Sequence, residues 1–233
     1  MTSIAANLQA VRARIAAACT AAGRSTESVQ LLAVSKTWPA ASVREAIAAG
    51  QRAFGENYVQ EGTDKAAELA GLGLGVGLEW HFIGPLQSNK TRLVAENFAW
   101  VHSLDRLKIA ERLAAQRSPD LAPLQVCVQV NVSGEVSKSG CTPAEAVTLA
   151  HAVAALPNLN LRGLMAIPEP SNDISLQRSR FALLRQLRDR LNAEGLSLDT
   201  LSMGMSHDLE AAIMEGATLV RVGTAIFGER QKH

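Results

Sequence analysis

Leu31-Leu32-Ala33-Val34-Ser35-Lys36 is a short apolar run that stops at a lysine and is followed by Thr37, Trp38 and Pro39. Such a run reads as a buried strand whose last side chain emerges at its carboxyl end. In α/β folds ligands bind at the carboxyl ends of parallel strands, where the βα loops and helix N-termini converge. An amine held there is a candidate nucleophile. Desolvation and neighbouring cations lower a lysine's pKa, and a neutral amine can form a Schiff base with a carbonyl compound. A solvated loop lysine is the competing reading of this stretch taken alone.

The pattern around it repeats. Apolar residues at Ile4, Leu8, Val11, Ile15 and Ala18 predict a helix over 2–22, ended by Gly23. Beyond Lys36 the spacing predicts a helix over 39–47, a very short strand after Arg52 and a helix through Leu69. Residues 71–77 alternate glycine strictly, so they lack the GxGxxG and Gly-Lys-Ser/Thr patterns of nucleotide loops and read as a connector. Strands are expected over 79–84, 100–103, 125–130, 161–167, 200–203 and 218–222. The helices between them begin near Asn89 and cover 105–116, 143–156, 175–194 and 207–215. Eight strands alternating with helices predict an α/β fold, a single (β/α)₈ TIM-type barrel over residues 1–233 with no second domain. The chain ends soon after Phe227, too early for a full helix after strand eight, so the helix preceding strand one is expected to fill that place in the outer ring.

Composition narrows the function classes. The 233 residues are 47% hydrophobic, which argues against disorder, and 23 basic against 22 acidic residues leave a net charge of +1. No global field attracts nucleic acid or an anionic membrane, so neither is an expected partner. Cys19, Cys127 and Cys141 are odd in number and widely spaced, which fits neither a disulfide framework nor a metal knuckle. Arg12 and Arg14 fall inside the amphipathic N-terminal pattern, unlike a signal peptide, and the expected location is the cytoplasm.

The polar features fall at strand carboxyl ends. Ser202-Met203-Gly204-Met205-Ser206-His207-Asp208 follows strand seven, with Ser206 placed to cap a helix whose free N–H groups suit an anion. Strand eight ends in Arg221-Val222-Gly223-Thr224, where a glycine lets backbone N–H groups approach a ligand. Barrel phosphate sites are frequently built from these last two loops, although a plain cap and a plain turn fit as well. A lysine on strand one opposite a phosphate cradle is the arrangement that would hold pyridoxal 5′-phosphate, PLP.

Ala33-Val34-Ser35-Lys36-Thr37, Phe54-Gly55-Glu56-Asn57-Tyr58, the stretch 81–90, Ser137-Lys138-Ser139-Gly140, Gly163-Leu164-Met165, the stretch 201–206 and the stretch 220–228 occur in order along the chain. Together they resemble the motifs of the PLP homeostasis protein family, also called the YggS or PROSC family, which is similar to the barrel of alanine racemase and other fold-type III PLP proteins. The resemblance implies a Schiff base on Lys36, Asn57 beside the cofactor ring, phosphate contacts from Ser206, Gly223 and Thr224, and Arg221 facing the pyridine nitrogen. Met165, Met203 and Met205 are expected as core and pocket wall, with Met165 and Met205 touching the cofactor. His81 reads as a packed, hydrogen-bonded residue, and Lys138 either as solvated or as a second amine near the mouth.

The function implied is intracellular storage, buffering or delivery of PLP by a monomer. Its partners would be amino or keto acids and PLP-dependent apo-enzymes. A small amino-acid racemase is the alternative, although a single tyrosine, Tyr58, leaves its second base without an obvious source.

Overall fold

The computed structural model describes residues 3–134 and 139–229. Eight parallel strands, β1 (Gln30–Val34), β2 (Ala53–Glu56), β3 (Glu79–Phe82), β4 (Trp100–Leu104), β5 (Leu124–Gln129), β6 (Leu159–Met165), β7 (Thr200–Ser202) and β8 (Leu219–Val222), close in chain order into a barrel. Closure is the β1–β8 ladder, with Leu32 opposite Arg221 and Ala33 opposite Val222. Around it lie α1 (Ile4–Ala21), α2 (Ala40–Ala48), α3 (Val59–Gly71), α4 (Thr91–Asn97), α5 (Leu107–Gln116), α6 (Pro143–Ala154), α7 (Ile174–Ala193), α8 (Leu209–Met214) and α9 (Thr224–Phe227). Among the described residues no helix is long and apolar enough to cross a membrane.

Side chains alternate across each strand, and the two faces meet different surroundings. Ala33, Phe54, Phe82, Val101, Val126, Leu164, Leu201 and Val220 point outward into one continuous core shared with the helices. Each such burial stabilises the fold by about 1.5–3 kcal/mol for the larger side chains. The alternate positions fill the barrel interior: Leu32, Val34, Ala53, Ile83 and Leu219 on one side, and Trp100, Cys127 and Met165 on the other. Between these two groups the interior is polar, with His81, His102, Ser202 and Arg221 all buried. Gly163 lets β6 and β7 close on each other, because a Cβ there would lie 1.8 Å from the Thr200 carbonyl oxygen.

α1 fills the ring position beside β8, packing against α2, α8 and α9. Its polar face holds two strand-exit loops: Asn7 donates to the Ile226 carbonyl at 2.8 Å, and Arg14 donates to the Ser206 carbonyl at 3.1 Å while pairing with Glu210 at 2.8 Å. Three details differ from the expectation. The β1 ladder stops at Val34, two residues before Lys36, because Trp38 N–H turns back to the Ser35 carbonyl. A single helical turn, α9, does follow β8. Asp208, not Ser206, occupies the N-cap of α8, since the loop folds back so that the Asp208 carboxylate accepts from Met205 N–H at 2.6 Å.

Candidate functional site

A cavity of about 200 Å³ opens at the carboxyl ends of the strands. Lys36 and Trp38 contribute from the β1 exit, Asn57 from β2, Ile83 from β3, Ile167 from β6, Met205, Ser206 and His207 from β7, and Arg221, Gly223, Thr224 and Gly228 from β8. The structure thus brings together Lys36, Asn57, Met205, Ser206, Arg221, Gly223 and Thr224. Met165 is not among them. It is fully buried against Trp100 and Cys127 in the barrel interior, below the mouth. Lys138 lies outside the described residues.

Lys36 sits in a turn that is fixed from beneath. Trp38 N–H bonds to the Ser35 carbonyl at 3.0 Å and Thr37 has φ +67°, the pattern of a type II turn with its left-handed residue at the third position. A β-branched residue rarely adopts that conformation, which costs about 1–3 kcal/mol. A buried ionic network holds it. Lys65 Nζ donates to the Ser35 carbonyl at 2.7 Å, to Glu56 at 2.8 Å and to Glu61 at 2.6 Å. Glu61 also accepts the Thr37 backbone N–H, and Ser35 Oγ donates to Glu56 at 2.6 Å. Burial pushes the Glu56 carboxyl up, opposed by Lys65 and the Ser35 hydroxyl.

Asn57 is fixed by close backbone approach. A Cβ on Gly84 would come within 2.3 Å of the Asn57 carbonyl oxygen, so only glycine lets the β3 exit pack against the β2 exit. The Ser103 hydroxyl ties that same Gly84 carbonyl down. The side-chain amide oxygen of Asn57 is buried with no hydrogen-bond partner among the described residues. A buried acceptor in a cavity wall fits a donor brought by a ligand. On the other side of β1, Gly223 packs its backbone against that strand, where an added Cβ would meet the Val34 carbonyl oxygen at 3.1 Å.

Arg221 forms part of the floor. It is buried, its Nη1 donating to Ser202 Oγ at 2.7 Å and its Nη2 to the Ala166 carbonyl at 2.8 Å. Glu210 is taken by Arg14 and Asp208 bonds to Met205 N–H, so neither is the direct partner of Arg221. Burial pulls the guanidinium down to about 10, with Asp208 opposing, which leaves a cation at neutral pH.

His81 is fully buried, stacked on Trp100 with ring centroids 5.3 Å apart, and hydrogen-bonded to His102 at 2.9 Å, a packed residue as the sequence suggests. Several wall residues escaped the sequence reading. Ile83 was accessible to strand alternation, two residues after the inward His81. Trp38, Ile167 and Gly228 sit in irregular loops, where periodicity carries no signal.

The family model described as alanine racemase, N-terminal domain, matches residues 6–231. The pyridoxal phosphate homeostasis protein of Pseudomonas aeruginosa is 64% identical over 230 residues, covering 99% of this chain and 97% of that protein. The protein of the same name from Escherichia coli K12 is 58% identical over 233 residues, covering 99% and 98%. The solved structure of PipY from Synechococcus elongatus with PLP bound superimposes with a TM-score of 0.84 at 39% identity, covering 97% of this chain and all of that one. Matched over nearly its whole length in sequence and in fold, the chain belongs to the pyridoxal phosphate homeostasis protein family, on the barrel of the alanine racemase N-terminal domain.

Proposed function

We propose that residues 1–233 form one PLP-binding unit that holds the cofactor as a Schiff base on Lys36 and stores, buffers or delivers it. The carrying observation is one cavity lined together by Lys36, Ser206, Gly223, Thr224 and the buried Arg221, with the β8 exit beside the β1 exit. The PLP bound in the PipY relative and the shared name of the curated relatives support the same reading. When bound, PLP supplies an electrophilic carbonyl carbon and a ring that can accept electron density.

The protein's own groups account for binding. The Lys36 amine is the covalent anchor. The hydroxyls of Ser206 and Thr224 and the backbone N–H of the Gly223 loop would hold the phosphate, and Asn57 would offer its amide to the ring. Trp38, Ile83, Ile167 and Met205 make apolar walls that exclude water from the anchor. Arg221 has only N–H donors, so a pyridine nitrogen held against it, as the family resemblance implies, would stay unprotonated and the ring would be a weaker sink for carbanion charge. Loss of one charge-assisted hydrogen bond costs about 1.5–3 kcal/mol, so Ser206→Ala should weaken PLP roughly tenfold to a hundredfold. Pyridoxal, lacking the phosphate, should bind far more weakly than PLP in the same titration, and equal affinity would remove the cradle from the account.

The carrier role is favoured over a small racemase because racemisation needs a base on each face of the α-carbon. Lys36 supplies one. Among the described residues lining the cavity there is no tyrosine, Tyr58 being largely exposed outside it, and besides Lys36 and Arg221 the one titratable side chain is His207, on the loop that carries Ser206. PLP-dependent apo-enzymes are then the expected recipients of the cofactor, and amino or keto acids its further small-molecule partners. Deuterium wash-in at the amino-acid α-carbon with chiral analysis separates the readings. The carrier predicts little or no net racemisation, whereas turnover of about 1 s⁻¹ or more, the low end for ordinary enzymes, would establish the racemase.

A further inference from the structure

A line of polar contacts crosses the barrel interior beneath the cavity, hydrogen-bonded from Arg221 to His81 and ending in a close contact with Glu79 that lacks hydrogen-bond geometry. Arg221 Nη1 lies 2.7 Å from Ser202 Oγ, Ser202 Oγ 2.7 Å from His102 Nδ1, His102 Nε2 2.9 Å from His81 Nδ1, and His81 Nε2 3.1 Å from Glu79 Oε1. Glu79 opens β3, and it lines a separate depression with Gln30 and Gln125, near the starts of β1 and β5. The line therefore runs from the ligand cavity to the opposite face of the barrel. Nothing in the proposed binding chemistry uses the two histidines, and buried imidazoles bonded to each other are costly unless each hydrogen has a place.

From Arg221 to His81 each hydrogen has one, and the direction follows from both ends. Arginine only donates, so Ser202 Oγ accepts from Nη1; its own hydrogen then goes to His102 Nδ1, the remaining acceptor beside it among the described contacts. At the far end His81 holds the Glu79 carboxyl below the usual range against the effect of burial, and a carboxylate 3.1 Å from His81 Nε2 favours the proton on that nitrogen. His81 Nδ1 is then an acceptor and His102 Nε2 a donor, which again makes His102 Nδ1 the acceptor of the Ser202 hydroxyl. The two derivations meet without conflict. Burial holds both imidazoles neutral, Arg221 adding to the effect at His102. The Trp100 ring stacks on His81 and carries the Arg162 guanidinium 5.0 Å from its centroid on the Glu79 side, while Asp208 and Cys127 are the other titratable groups facing Arg221.

We propose that Ser202, His102 and His81 are positioning residues, a directional hydrogen-bond relay that orients the Arg221 guanidinium under the cavity and ties it to Glu79 on the opposite face of the barrel. The relay itself stands on the geometry above; its effect on a ligand rests on the reading that PLP occupies the cavity.

The test begins on the ligand-free protein. Multiple-bond ¹H–¹⁵N correlation spectra of histidine-labelled protein at neutral pH should show His81 and His102 both neutral with the proton on Nε2. A proton on Nδ1 of either ring, or an imidazolium, overturns the relay. Glu79 is 40% exposed at its side chain, so its variants retain the core. Glu79→Gln keeps an acceptor and should preserve the pattern in both rings. Glu79→Leu removes the terminal acceptor and should change the signature of His102, which Glu79 does not touch; an unchanged His102 would reduce the histidines to independent packing. With PLP added, Glu79→Leu should move the absorption band of the bound cofactor and weaken PLP threefold or more, and Glu79→Gln should stay within twofold of the parent. A band and affinity identical to the parent in Glu79→Leu contradict the coupling to Arg221. Absence of PLP binding by the parent protein would overturn the functional reading, with the imidazole spectra still deciding the relay.

Discussion

Lys36→Ala is expected to lose all covalently held PLP. The near-visible band of the lysine-bound cofactor should vanish on titration, and residual binding should fall to whatever the phosphate cradle retains. The loss is total because no other lysine lines the cavity among the described residues. Stability should change little, since Lys36 sits in a turn at the mouth and is absent from the core. Far-UV circular dichroism and the unfolding midpoint check that point. A variant that kept its band would move the anchor elsewhere, with Lys138 first to be replaced in turn.

Lys65→Met should destabilise the protein by about 3–5 kcal/mol, the cost of removing one partner from a buried ion pair. Lys65 is 7% exposed at its side chain and Glu56 is fully buried, so the remaining carboxylate would have no countercharge and could not reach water. For a chain of this size each kcal/mol lowers the melting temperature by roughly 2–4 °C, so denaturant or thermal unfolding resolves the effect easily. The double variant Lys65→Met with Glu56→Gln should recover part of the loss by removing the orphaned charge. The consequence also reaches the site. With the Ser35 carbonyl and Glu61 both released from Lys65, nothing comparable holds Thr37 at positive φ, and PLP affinity should fall with stability. A loss below about 1 kcal/mol would mean that the network behaves as a solvated surface pair.

These two lysines mark what a sequence can and cannot reveal. Lys36 stands out in the sequence because it ends the first apolar run, and Gly223, Thr224 and Ser206 because the last two strand exits of a barrel are natural anion sites, whereas the role proposed for Arg221 comes from family resemblance. Strand order and ring helices followed from hydrophobic periodicity, which reports burial directly. Lys65 was invisible: it sits among polar residues of an amphipathic helix, and only the barrel's curvature folds it over Ser35 and Glu56, 30 and 9 residues away. Asn57 entered through family resemblance alone, since its position depends on the close approach of Gly84. Ser206 was assigned a cap because hydroxyls favour that place, but the Asp208 carboxylate competes for the loop and wins it. Met165 points inward as alternation requires, yet one layer too deep, and strand periodicity fixes the face without the depth. The interior relay combines both difficulties. His81, His102 and Ser202 are visible as inward positions, but their contact joins strands up to 100 residues apart.

The most direct measurement of the central claim is chemical. The protein is mixed with PLP, reduced with borohydride, digested and mapped by mass spectrometry. The account predicts one reduced pyridoxyl-phosphate adduct, on the peptide carrying Lys36, formed in the parent protein and absent from Lys36→Ala. An adduct centred on another lysine in the parent protein, or none at all, would contradict it.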